Sequence, residues 1–402
     1  MKISLLFPTR DRAPFLYWSL RTALEIDDDR LEIIVSDNCS LDDTADVVAS
    51  FNDPRLKYIR TPERTSMRAN FEFALRSSTG DYVSMIGDDD GYLPAQFPAL
   101  RSILEKHQPD CLYWDLPAYT WPAEGESGSV KLRRRSAFGF PKAIDTDVFR
   151  ENLLEARIEQ TNWAPSVYHG VASRSYLERI ACPDGTCFAG SIPDIYFSYR
   201  SLFAGGNMLR AAHPFSVAGQ SNASNGAAHN RQKESDITTS FIADNESDPY
   251  CDVVPQRRSI PWVLFSTMET VRARFPETSE HPNYEDWYRY ILQTEPIQSN
   301  EWKAELDGAL QAYAAKTGTE ENLKRAYVPK KIEALGLWDK LRRELSNAER
   351  IKISSSHDGK DTIYSAAKVF DRLLKTHYAQ VLDGNMSARA AWRAMKRDAS
   401  RL

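Results

Sequence analysis

The first 116 residues alternate short β-branched runs with helical stretches of ten or more residues, and this alternation restricts the fold more than any other feature. A strand, a helix and a second strand in succession call for a parallel crossover. Right-handed crossovers of that kind build a doubly wound sheet covered on both faces. Lys2–Phe7, Glu32–Ser36, Leu56–Ile59, Tyr82–Ile86 and Asp110–Trp114 are the expected strands, each apolar enough to lie inside such a sheet. Ala13–Leu24, Asp42–Phe51, Ser66–Ser77 and Pro94–Lys106 are the expected helices between them. Ser40, with Asp43 three places on, supplies a cap for the second, and Pro94 suits the first turn of the fourth.

Beyond residue 116 the rhythm weakens. Residues 117–165 hold Pro, Gly and Ser, scattered aromatics and the basic run Lys131–Arg135, which reads as an insertion. Regular structure is expected again in Ser166–Ser173, Asp194–Phe203 and Asn207–Ala218, before the polar loop Gly219–Asn230 closes the domain. After Ser235 the pattern is helical, in Val263–Arg274, Asn283–Gln293, Glu301–Lys316 and Asp361–Leu382. The expectation is an α/β domain over residues 1–234 and a mainly helical region over 235–402, with no repeat of 20–50 residues.

With 51 basic and 56 acidic residues the net charge is −5, so no globally basic surface exists to hold nucleic acid. The five cysteines are scattered, without a C-x-x-C pair, which excludes the common zinc modules and fits a reducing compartment. The apolar run Ile3–Phe7 is too short for a secretory leader, and no window approaches the ~20 apolar residues of a spanning helix. A cytoplasmic protein is expected, at most peripheral at the inner face of a membrane.

In open α/β sheets ligands bind beyond the strand C-termini, and here those positions are polar. Strand one ends in Pro8-Thr9-Arg10-Asp11-Arg12, strand two in Ser36-Asp37-Asn38, and strand four in Gly87-Asp88-Asp89-Asp90. No dinucleotide fingerprint or NTPase phosphate loop is present. Three adjacent carboxylates repel and raise one another's pKa unless something neutralises them. Mg²⁺ or Mn²⁺ does so with one or two carboxylates and the oxygens of a bound phosphate; a solvated acidic turn capping the following helix is the other reading. The triplet is expected on a solvent-facing loop.

The runs Phe7-Pro8-Thr9-Arg10, Val35 to Thr44, Met67-Arg68-Ala69-Asn70 and Gly80-Asp81-Tyr82, leading into Gly87-Asp88-Asp89-Asp90 and Leu93-Pro94, closely resemble the inverting glycosyltransferases of family 2 with the GT-A fold. The resemblance is strong over residues 1–116 and looser to 230. It implies a glycosyltransferase moving a sugar from a nucleotide-diphosphate sugar, a UDP-sugar first, to a hydroxyl acceptor in polysaccharide or glycoconjugate synthesis, with Mn²⁺ or Mg²⁺. By the same resemblance Pro8, Thr9 and Arg10 hold base and ribose, Asp37 meets the base, Arg68 lines the base and phosphate side, and Asp88 contacts the nucleoside. Asp89 is then the direct metal ligand and Asp90 could assist either the metal or the nucleoside contact, although the usual D-x-D wording would choose Asp88 and Asp90 for the metal.

An inverting transfer needs a base for the acceptor hydroxyl, and Asp194, opening an amphipathic helix where the family keeps its catalytic carboxylate, is the candidate; Asp184, in a Pro-Asp-Gly turn, is the runner-up. The loop Ser221–Gly226 could close over a diphosphate, and His213 or His229 could complete a metal site. Trp114, Tyr119, Trp121, Trp163 and Tyr168 suit an acceptor cleft or the core, and Lys131–Arg135 suits a lipid-linked diphosphate or a solvated loop. Two other readings stay open, a non-catalytic sugar- or nucleotide-binding scaffold and a sugar-phosphate nucleotidyltransferase. The last helical pattern places Ala391, Trp392 and Met395 opposite Arg389, Arg393 and Arg397, which fits a membrane surface, a second subunit or the chain's own helices.

Overall fold

The computed structural model describes residues 1–122, 128–161, 164–221, 236–250, 253–255, 257, 259–275, 280–295, 299–328, 350–354, 356, 359 and 361–400. Its main sheet has eight strands. The first four along the chain are β1 (Ile3–Thr9), β2 (Leu31–Asp37), β3 (Leu56–Arg60) and β4 (Tyr82–Met85), parallel in the spatial order β3-β2-β1-β4. Beyond β4 the sheet continues through β10 (Gly170–Ser173), β6 (Cys111–Trp114), β11 (Met208–Ala211) and β9 (Pro141–Ala143), with β10 antiparallel to both its neighbours.

Every residue of β1 is buried, as a strand covered on both faces must be. Period-two alternation sends Ile3, Leu5 and Phe7 into one core and Leu6 into the other. The first core is covered by helices α1 (Ala13–Leu24) and α4 (Phe97–His107), the second by α3 (Met67–Arg76), α6 (Arg174–Ile180) and the start of α7 (Pro193–Ala204). Helices α2 (Thr44–Ala49) and α5 (Thr146–Leu154) complete the set around the sheet. Ser66 caps α3 by accepting the Ala69 N–H, which explains why that helix starts where it does.

A second sheet has the order β13-β8-β7-β12-β5. Its strands are β5 (Gly91–Tyr92), β7 (Ala118–Thr120), β8 (Ser129–Arg133), β12 (Ser216–Gln220) and β13 (Arg350–Ser354). The stretch read as an irregular insertion therefore supplies β7, β8, β9 and α5.

The residues after 235 do not pack as one body. Helices Ile260–Arg274, Tyr284–Thr294, Asn300–Thr317 and Glu320–Ala326 build a core with residues of α5 and α7 around Trp262, Phe265 and Trp287. Strand β13 instead joins β8, and helices Ile363–Leu374, His377–Leu382 and Ala388–Ala399 enter the first core beside α1. A line drawn at 234/235 thus cuts through a core that both sides share. The basic amphipathic last helix buries Ala391, Trp392 and Met395 in that core, so its apolar face is covered by the chain itself. Among the described residues no helix is long and apolar enough to cross a membrane.

Candidate functional site

The parallel strands β1, β2 and β4 deliver their C-terminal residues to one crevice, as the topology requires. Asp88, Asp89 and Asp90 follow β4 but do not lie on a solvent-facing loop: all three are buried. The expectation of exposure overlooked what comes over the turn. Strand β12 crosses it, and Tyr168 and His169 approach from the segment leading into β10.

The three carboxylates have different surroundings. Asp88 accepts from Thr9 Oγ1 and Arg12 Nη1, each at 2.7 Å, which links the ends of β1 and β4. Asp90 holds the turn together. Its Oδ1 takes the Gly219 N–H at 2.8 Å; its Oδ2 takes the Tyr168 hydroxyl at 2.5 Å and the Gly87 N–H at 3.0 Å, and lies 3.1 Å from His169 Nε2. Burial pushes this carboxyl up, but His169, Tyr168 and Gly219 outweigh it and hold it below the usual range. Expected as a second metal carboxylate, Asp90 instead has both oxygens occupied by protein groups.

Asp89 is the poorly compensated member. Its Oδ2 accepts from Ser221 Oγ at 2.5 Å, while the Arg12 guanidinium stays 3.8 Å from Oδ1. Burial, then Asp90 and Asp88, push its carboxyl up to about 7, with Arg12 and Ser221 offsetting only part. A buried carboxylate with one close hydrogen-bond donor and two like-charged neighbours suits a divalent cation that completes its shell with phosphate oxygens. Among the described residues no three His, Cys, Asp or Glu side chains form a self-contained cage. The residues present fit a cation held through Asp89 with help from a bound phosphate.

Gly219 is there because the backbone comes so close. A Cβ at that position would sit 1.8 Å from the Asp89 carbonyl oxygen, which also accepts the Trp121 indole N–H at 3.0 Å. Behind Asp90, His169 Nδ1 meets Ser216 Oγ at 2.8 Å, and Ser216 in turn accepts from Trp114 Nε1 at 2.7 Å. Trp114 and Tyr119 are core residues, whereas Trp121 and Tyr168 touch the acidic turn; Trp163 lies outside the described residues.

The remaining expected positions spread along the same crevice. Asp37 is fully buried at the end of β2, opposite Thr9 in the β-ladder; its Oδ1 takes the Ser40 N–H and its Oδ2 takes Tyr58 and Arg60. Pro8 is buried one step back on β1. Arg10 pairs with Asp244 at 2.5 Å, and Arg68 Nε with Asp248 at 2.6 Å beneath the Tyr250 ring, so a segment from beyond residue 235 lies on both arginines. No sequence signal announced those two acids.

Asp194 opens α7, close enough to Tyr168 and His169 for their charges to act on one another. Burial lifts its carboxyl above the usual range, and the Ile195 N–H and His169 restrain the rise. Asp184 is exposed in its turn, held low by Tyr250 and the Thr186 N–H, and stands outside this group. His213 is not at the acidic turn: it is fully buried, stacked 3.5 Å from Tyr378, and burial holds it well below the usual imidazole range. His229 and the stretch Asn222–Gly226 fall outside the described residues. The imidazole at the turn is His169, which the sequence reading missed because one histidine in an apolar run carries no pattern.

Residues 4–144 match the family model described as Glycosyl transferase family 2. Among curated proteins, GalNAc(5)-diNAcBac-PP-undecaprenol beta-1,3-glucosyltransferase of Campylobacter jejuni is 32% identical over 108 residues, which is 26% of this chain and 34% of that protein. The putative colanic acid biosynthesis glycosyl transferase WcaA of Escherichia coli is 30% identical over 94 residues, 23% of this chain and again 34% of its partner. The chain thus matches about a third of the length of each curated relative. Among solved structures, S. aureus TarS 1-349 in complex with UDP-GlcNAc aligns over 81% of this chain and 90% of its own, at 14% identity and a TM-score of 0.46. Residues 4–144, whose parallel strands end in the buried acidic turn, are thus similar to glycosyl transferase family 2.

Proposed function

We propose that the protein transfers a sugar from a nucleotide-diphosphate sugar, a UDP-sugar first, to an acceptor hydroxyl with inversion at the anomeric carbon. The observation that carries this reading is the division of labour in the acidic turn: Asp88 and Asp90 are paired by protein groups while Asp89 is left short of positive charge. Asp89 would hold Mn²⁺ or Mg²⁺, whose bound form supplies neutralisation of the donor diphosphate. Arg12 fixes Asp88 against Thr9 and adds positive charge on the same side.

The base and ribose lie along Pro8, Thr9 and Arg10, with Asp37 beneath the base and Arg68 on the phosphate side. Asp37 is kept in one orientation by Tyr58 and Arg60, which is what a base-reading carboxylate needs. Asp194 removes the acceptor proton. Its lifted proton affinity suits a base that must still be ionised near neutral pH. Trp121 and Tyr168 flank the turn and offer ring faces to the acceptor sugar. The acceptor is a saccharide or a lipid-linked saccharide.

Product analysis tests the reaction class. A transferase releases nucleoside diphosphate and a product of inverted anomeric configuration, whereas release of pyrophosphate would assign the chain to nucleotidyl transfer.

A further inference from the structure

The exposed face of the second sheet carries a patch of positive charge. Strands β8 and β13 are antiparallel, and their register sets Lys131 directly opposite Lys352 and Arg133 opposite Arg350. Val130, Leu132 and Ile351 of the same strands point inward to the first core, which leaves Lys131, Arg133 and Lys352 exposed. Like charges directly opposite across an antiparallel pair are destabilising. Among the described residues none of these three side chains has an ion-pair partner, although the chain as a whole has more acids than bases, 56 against 51. Folding alone does not account for cations placed this way.

The β-ladder links the patch to the strand that crosses the acidic turn. Lys131 pairs with Ala118 on β7, and Ala118 with Ala218 on β12, the residue before the Gly219 that binds Asp90. Two strand spacings, about 10 Å, separate Lys131 from β12. Two residues along each strand, beside the row that holds the lysines, the same face presents Gln220, Thr120, Ser129 and Ser354, a row of hydrogen-bonding side chains set by the same register. A chain laid across the strands would meet Ala218 and Ala118 nearest β12, with Gln220 and Thr120 beside them, and the cations farther out.

We propose that this face binds the acceptor, and that the acceptor is a phosphate-bearing polyanion whose phosphate groups lie on Lys131, Arg133 and Lys352 while its sugar hydroxyl reaches the turn. The identity of the ligand as acceptor rests on the transferase reading above; the presence of the anion site does not.

The test uses the full chain and fluorescein-labelled linear polyphosphate, read by fluorescence anisotropy at low and at physiological ionic strength. The wild type should bind, more weakly at the higher salt. The triple variant Lys131→Gln, Arg133→Gln, Lys352→Gln should lose about tenfold or more in affinity, given a few-fold for each exposed pair. A control with three exposed lysines changed elsewhere, Lys106→Gln, Lys303→Gln and Lys316→Gln, should bind as the wild type does. The triple variant should also melt no lower than the wild type, since it removes opposed like charges. UDP-sugar titrations on the same samples should give one affinity for all three proteins. Equal polyphosphate binding by wild type and triple variant, or an equal loss in the control, overturns the proposal. So does binding to phosphatidylglycerol vesicles without binding to polyphosphate, which would make the face a membrane contact. A wild type that binds polyphosphate through these residues but no nucleotide sugar would keep the anion site and sink the transferase reading instead.

Discussion

Ser221 Oγ donates to Asp89 Oδ2 at 2.5 Å, tying the end of β12 to the turn after β4. Two residues earlier, Gly219 donates its N–H to Asp90 at 2.8 Å. The acidic turn is therefore shaped as much by the strand that crosses it as by the strand that leads into it. Gly219→Ala should displace that crossing, because a Cβ would lie 1.8 Å from a backbone oxygen that has no freedom to rotate away. The expected cost is about 1–3 kcal/mol in urea unfolding, with a fall in turnover that exceeds any change in acceptor affinity.

Asp90 and Asp89 should respond in opposite ways to the same change. Asp90→Asn presents an amide to four donor groups and should destabilise the fold by about 1–3 kcal/mol. Asp89→Asn removes a buried, repelled charge and should be neutral or stabilising at pH 7. The folded Asp89 carboxyl takes up its proton at about 7 against an ordinary 3.8. The wild type therefore loses stability from this group as pH rises between those values, and the variant does not. Urea melts across that range are the check; parallel curves for the two proteins would refute the assignment of strain to Asp89.

Asp194→Asn should lower kcat by about 10²–10⁴-fold with donor KM nearly unchanged. The base must be ionised, so the rate should fall as pH drops through a carboxyl pKa that burial has raised above the usual range. That acid limb should be missing from the residual activity of the variant. A matching loss of donor affinity would mean that Asp194 only shapes the start of α7.

Trp392→Ala should cost about 3–5 kcal/mol in chemical denaturation, because the last helix is part of the first core rather than an appendage. Full-chain protein mixed with anionic vesicles should show no Trp392-dependent pelleting. Membrane binding that vanishes in this variant, with stability intact, would reverse the conclusion.

The parallel half of the fold was legible because each of its elements announces itself locally. β1 to β4 and α1 to α4 lie where β-branched runs and amphipathic spacing put them, with ends displaced by one to three residues. Strands β8 and β13 were missed for a physical reason. Each alternates apolar with polar residues over five positions, Val130 and Leu132 in one, Ile351 and Ile353 in the other, and the serine and charges between them read as loop. Their pairing joins segments far apart in the chain, which no local window sees. The site shows the same split. Thr9, Asp37 and the triplet were visible as polar residues after strands, while His169, Gly219 and Asp248 reach the site from other parts of the chain.

The central claim is that Asp89 supports donor binding through a divalent cation, and calorimetric titration of a UDP-sugar into wild type and Asp89→Asn, with Mn²⁺ and with EDTA, tests it most directly. The wild type should bind with Mn²⁺ and lose most of its affinity in EDTA, since the diphosphate then faces an uncompensated carboxylate. The folded variant should bind weakly and equally in both. Tight binding by Asp89→Asn that still depends on Mn²⁺, or wild-type binding indifferent to EDTA, would contradict the account.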